Sequence, residues 1–171
     1  FIPSELSNVG HVFALESQDD SILWVGTYGQ GLWRLHLDKS GNIIRRKNIT
    51  PNTQSKILSF IIRNIYIDRK GNIWISTDKG INRISRNETL LENPDINAFV
   101  KGEGSGFLSH DYILQIVETS DGTLWFGTMG GGLLKCTLSE NGQLNFAAIT
   151  TKEGLPNNTI KTIIEDDEGF L

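Results

Sequence analysis

The stretch GTMGGGLLK, Gly127 to Lys135, follows Trp125 and sets four glycines ahead of a lysine. Glycine-rich backbone N–H groups beside an ammonium are the chemistry that cradles a phosphate. That chemistry needs a strand running into a helix N-terminus, and here the residues after the glycines, LLKCTL, read as another strand. The three histidines offer no metal set: His11 precedes a strand, His36 lies on one, and His110 sits in a loop, without the converging spacing that ligation requires. Cys136 is the one cysteine, so no intramolecular disulfide forms, and its alignment with Leu35 and Ile84 makes it a small hydrophobe in a strand rather than a nucleophile. The acidic clusters Asp19, Asp20 and Glu165 to Glu168 fall in turn sequences, where carboxylates stay solvated and do not form an acid and base pair. No catalytic residue, metal or cofactor is expected.

Composition narrows the partners. Of 171 residues 38% are hydrophobic and 21% charged, the balance of a folded chain. Sixteen Lys and Arg stand against twenty Asp and Glu, a net charge of −4 without a basic stripe, which argues against nucleic acid. No apolar run approaches the roughly 20 residues of a membrane span, so no direct membrane contact is expected.

The elements that hold these residues are repeats. ILWVGTYGQGLWRL around Trp24, NIWISTDKGINRI around Trp74 and TLWFGTMGGGLLKC around Trp125 superpose, and the tryptophans stand 50 and then 51 residues apart. Apolar residues fall twelve before each Trp (Val12, Ile62, Ile113) and nine before it (Leu15, Ile65, Ile116) without a gap. A fourth copy begins at TIKTIIEDDEGFL, with Ile160, Ile163, Asp166 and Gly169 in register, and its next residue is expected to be Trp. The chain starts at Phe1 and reads as an excerpt of something longer.

Within a copy, β-branched and aromatic runs alternate with Gly, Asn and Asp turn signals, giving four short strands. In the third copy these are expected at 113–118, 124–128, 133–138 and 144–149, with Asn141 and Gly142 making a hairpin turn. The first strand is nearly all apolar and the third alternates, which predicts a blade buried at its first strand and wetter outward. The expected fold is all-β: a β-propeller fragment of four-stranded antiparallel blades, about three and a half of them. Blade repeats span about 11–50, 62–100 and 113–150, with an incomplete blade at 160–171, all in one partial propeller over 1–171.

At IRNIYIDRKGNIWISTDKGINRI and EGLPNNTIKTIIEDDEGFL the chain resembles the two-component-regulator propeller repeat of bacterial sensors. The resemblance covers nearly the whole chain. It departs where Ser21 replaces the turn Gly, Ser76 the Gly after Trp74, and Thr119 the Asp seen at Asp68 and Asp166. What it implies is a ligand-sensing domain in the periplasmic or extracytoplasmic part of an inner-membrane protein, whose cytoplasmic histidine kinase or transcription-factor module lies elsewhere. In such proteins, many from gut Bacteroidetes, the ligand is often a glycan, so an oligosaccharide is the expected partner. Two alternatives stand beside this: a protein-interaction or dimerisation scaffold, and a lyase-type propeller enzyme, which would need a catalytic cluster. The fragment is expected to associate with itself or with the remaining blades of its ring.

In an up-and-down blade the turn between strands two and three shares a face with the loop joining blade to blade. That face gathers the ligand candidates Tyr28, Gln30, Arg63, Asp78, Lys79, His110, Asp111, Tyr112 and Met129, together with Asn64, Asn157 and Asn158. Its long glycine-rich loop, KGEGSGFLSHDY, is a plausible contact surface. Trp33 joins the ligand list because Asn82 and Leu134 occupy its place in the other copies. Trp24, Trp74 and Trp125, being repeated, are assigned to packing between blades.

Overall fold

The computed structural model describes residues 10–53, 55–102, 108–138 and 143–171. Three antiparallel sheets of four strands follow one another, each in simple sequence order. The first comprises β1 (His11–Gln18), β2 (Ile22–Tyr28), β3 (Leu32–Leu37) and β4 (Ile43–Ile49). The second comprises β5 (Ile62–Ile67), β6 (Ile73–Thr77), β7 (Gly80–Ile84) and β8 (Ile96–Phe99). The third comprises β9 (Ile113–Glu118), β10 (Leu124–Thr128), β11 (Leu133–Leu138) and β12 (Leu144–Ile149), the ranges the turn signals predict. The Asn141–Gly142 turn and residues 103–107 of the long loop lie outside the described residues.

Successive sheets pack through two apolar cores. Trp24, fully buried, joins Leu32 and Ile49 of the first blade to Ile62, Ile65, Ile73 and Ile75 of the second. Trp74 does the same between the second and third blades, among Ile113, Ile116, Phe126 and Phe146, with its ring 5.7 Å from that of Phe126. Trp125, at the same position of the third blade, is half-buried. Each full burial of a large apolar side chain contributes about 2–3 kcal/mol, so these interfaces, more than local propensity, order the blades.

The burial gradient differs from the expected one. The second strand is driest: all of Ile73–Thr77 is buried, whereas β5 and β9 bury only Ile62, Ile65, Ile113 and Ile116. A second strand is paired on both edges and covered on both faces, while a first strand pairs with only one strand of its own sheet. In β3, Arg34 is buried although the strand alternates, because the loop between β7 and β8 closes over it: its Nη1 donates to the carbonyls of Thr89 at 2.6 Å and Leu91 at 2.8 Å.

Polar bonds repeat along with the cores. Six residues before each tryptophan an oxygen accepts the indole N–H: Gln18 for Trp24 at 3.0 Å, Asp68 for Trp74 at 2.8 Å and Thr119 for Trp125 at 3.3 Å. Across the β2–β3 type of pair, the side chains of Arg34, Arg83 and Lys135 lie over the same three rings, 5.4 to 5.8 Å from their centroids. First strands are tied to the next blade by side-chain oxygens: Asn64 accepts from Ile116 N at 3.2 Å, and Gln115 from Ile163 N at 2.7 Å. No strand forms within 160–171, but Thr159 bridges to Met129, and Asp166 closes a turn with Phe170 as Asp68 does with Asn72.

Candidate functional site

The glycine turn answers its own chemistry. Met129 N donates to Tyr112 O, Gly130 N and Gly132 N both donate to Asn158 O at 3.1 and 2.8 Å, and Gly131 N donates to Thr128 Oγ1 at 2.8 Å. The amide cradle is present, but the oxygen in it is a backbone carbonyl from the lead-in to the fourth repeat. The first blade repeats the device, with Gly29 N and Gly31 N on Phe60 O. Glycine at position 132 is obligatory here: φ is +84° and a Cβ would lie 2.1 Å from Ile149 O. Lys135 is occupied over Trp125.

A different cluster emerges where the first strands bulge. In β1 the pairing with β2 steps from Val12 to Ala14, in β5 from Ile62 to Asn64, and in β9 from Ile113 to Gln115. The skipped residues are Phe13, Arg63 and Leu114, each eleven positions before its tryptophan. A bulge re-aims the residue it leaves unpaired. At two of the three bulges the result is one cluster: the Arg63 guanidinium carbon lies 5.0 Å from the Phe13 ring centroid, 5.6 Å from Tyr28 and 5.2 Å from Tyr112. Arg63 Nη2 donates to the Tyr112 hydroxyl, and Phe13 meets Tyr28 edge-on at 5.4 Å. Phe13 and Tyr28 remain 47% and 46% exposed, which leaves aromatic surface open to solvent beside a cation. Three blades therefore meet in this cluster.

Of the candidates from sequence, Tyr28, Arg63 and Tyr112 are brought together, and Phe13 completes them. His110 lies under the third glycine turn, where a Cβ on Gly131 would fall 2.3 Å from its own; its Nδ1 accepts from Tyr112 N at 3.1 Å and so fixes that tyrosine's backbone. Asp111 accepts from Lys101 N, and Met129, 43% exposed, bonds through its N–H to the Tyr112 carbonyl. Gln30 is in the first turn, where its N–H meets Thr27 Oγ1. Lys79 is exposed in the second turn beside Asp78, whose Oδ1 is buried without a partner among the described residues. Asn158 supplies the cradled carbonyl, and its side chain accepts from Thr151 N. Trp33 is elsewhere, on the face of the first sheet with Val25 and Leu35.

The titratable groups away from the cluster carry structural signatures. Burial pushes the Cys136 thiol up to about 12, the state of an inert packed sulfur. Burial, and then the charges of Arg34 and Arg45, lower the His36 imidazole. Toward the other end of the first strands, burial raises Glu16, and burial followed by the Glu118 charge raises Tyr66. Among the described residues no group of three His, Cys, Asp or Glu side chains is placed to hold a metal ion.

Radial four-stranded blades joined tip to mouth define a β-propeller. Residues 58–79 and 108–130, in the first halves of the second and third blades, match the sequence model of the two component regulator propeller. The chain is 28% identical over 100 residues to histidine kinase P4 of Formosa agariphila, an alignment covering 57% of this chain and 7% of that protein. Its fold is similar to the extracellular domain of a hybrid two component system from B. thetaiotaomicron, with a TM-score of 0.71 and 24% identity over 94% of this chain and 22% of that one. It is also similar, at a TM-score of 0.51 and 18% identity, to virginiamycin B lyase from Staphylococcus aureus, covering 83% of this chain and 42% of that one. The chain thus spans a small part of the length of these proteins. Among the described residues no helix is long and apolar enough to cross a membrane.

Proposed function

We propose that this propeller segment senses a ligand for a two-component regulator, in its extracytoplasmic part, and that the ligand is a glycan received at Phe13, Tyr28, Arg63 and Tyr112. The observation that carries the reading is the convergence of two first-strand bulges and two tyrosines on one half-open cluster. Exposed aromatic faces stack on the apolar side of a sugar ring, and a neighbouring guanidinium supplies directional hydrogen bonds. The similarity to a histidine kinase and to an extracellular two component domain supports a sensing role over a catalytic one. Titration of the complete extracytoplasmic region with a panel of oligosaccharides tests it. Saturable binding that weakens when Phe13 is replaced by alanine is expected, and no binding by any member of the panel contradicts the reading.

A further inference from the structure

Arg63 is held differently from Arg34, one of the two other stacked arginines. Arg34 also lies over an aromatic ring, but its Nη1 is taken by two backbone carbonyls and the residue is buried, so its role is to join two blades. Arg63 is half-buried at a strand bulge, faces three rings, and uses one donor on the Tyr112 hydroxyl. A guanidinium carries five N–H donors in a planar fork. Aromatic faces attract its charge but accept no strong hydrogen bond from it. Its Nε, like those of Arg34 and Arg83, is buried without an acceptor among the described residues, and the ion pairs formed there, Arg45 and Lys47 with Glu92 and Lys56 with Asp95, lie elsewhere. The two candidate carboxylates of the same face do not pair with it either: Asp111 accepts from Lys101 N, and Asp78 makes no ion pair among the described residues.

A cation fixed by rings and left without an anion is complementary to a ligand that brings the anion. The planar fork fits a carboxylate through two parallel N–H···O bonds, and the exposed Phe13 and Tyr28 rings fit the apolar face of the pyranose that carries it. We propose that the Arg63 cluster recognises a carboxylated sugar, a uronate unit of an oligosaccharide, with Arg63 on the carboxylate and Phe13 and Tyr28 against the ring. This rests on the sensing role proposed above and narrows it from glycans in general to acidic ones.

The test is calorimetric titration of the complete extracytoplasmic region with matched trisaccharides that differ only in the sixth carbon: galacturonate against galactose, glucuronate against glucose, and mannuronate against mannose. One uronate is expected to bind about tenfold or more tighter than its neutral counterpart. Arg63→Gln should remove that preference, while Arg63→Lys, which keeps the charge but not the fork, should retain part of it. Melting temperatures within about 2 °C of the parent would show both variants folded. Equal or tighter binding of a neutral trisaccharide overturns the acidic-sugar inference and leaves the sensing role standing. So does a uronate preference that survives Arg63→Gln. Failure of every trisaccharide, acidic and neutral, overturns the sensing role and this inference with it.

Discussion

The indole Nε1 of Trp74 donates to Asp68 Oδ2 at 2.8 Å, and the other oxygen of that carboxylate accepts the N–H groups of Lys70 and Asn72. One buried side chain thus closes the hairpin between β5 and β6 and anchors the tryptophan that fills the gap to the next blade.

Removing it leaves several buried donors without acceptors, and each costs about 1–3 kcal/mol. Asp68→Ala is therefore expected to lower unfolding free energy by about 3 kcal/mol in urea titration. Thr119→Ala, which loses a longer bond to the half-buried Trp125, should cost about 1 kcal/mol. Equal effects of the two substitutions would contradict this ranking.

Position 76 supplies a contrast in the second strands. Gly26 and Gly127 each have the next blade pressed against them, with a built Cβ falling 2.6 Å from Ile62 Cγ2 and from Ile160 O respectively. Gly127→Ala should cost about 1–3 kcal/mol through overpacking, since backbone is the obstacle. Ser76 occupies the same position with a hydroxyl that is buried and has no partner among the described residues. Ser76→Ala keeps the Cβ and removes that hydroxyl, so a gain of up to about 1 kcal/mol is expected by the same denaturation measurement. A loss on Ser76→Ala would mean that the hydroxyl has an acceptor.

Glu16 sets a pH dependence of unusual sign. Burial raises its folded-state value, so the folded chain favours the protonated form. Its contribution to stability is present below the ordinary carboxylate value and is lost as pH rises through the raised one. Glu16→Gln, permanently neutral, should melt higher than the parent near pH 7, and the difference should vanish below about pH 4. Melting curves across that range check it. A variant less stable than the parent at pH 7 would show that the charged carboxylate is stabilised by partners.

The architecture was legible because turn residues and a repeated tryptophan punctuate the chain at nearly constant spacing. The third-copy strands fall where Asp121–Gly122 and the glycines at 130–132 place their ends. The acceptor six residues before each tryptophan was concealed by drift: Gln18, Asp68 and Thr119 differ as residue types yet each offers an oxygen. The bulges were concealed for the opposite reason. Every copy has one at the same place, so the copies align without a gap and nothing in their spacing signals an unpaired residue. Phe13 was missed as a result, although Tyr28, Arg63 and Tyr112 were found from the turns and lead-in loops. The burial of Arg34 was not legible because its cover comes from the next blade, at Thr89 and Leu91, far away in sequence.

The central claim is that ligand enters at the bulge cluster, and Tyr28 tests it most directly. It is 46% exposed at the end of β2, and its ring reaches Phe13 and Arg63 without lying in an apolar core between blades. Tyr28→Ala in the complete extracytoplasmic region is predicted to weaken oligosaccharide affinity about tenfold, the worth of one aromatic platform, with an unchanged melting temperature. Calorimetric affinity equal to the parent's would contradict the account and place the ligand elsewhere.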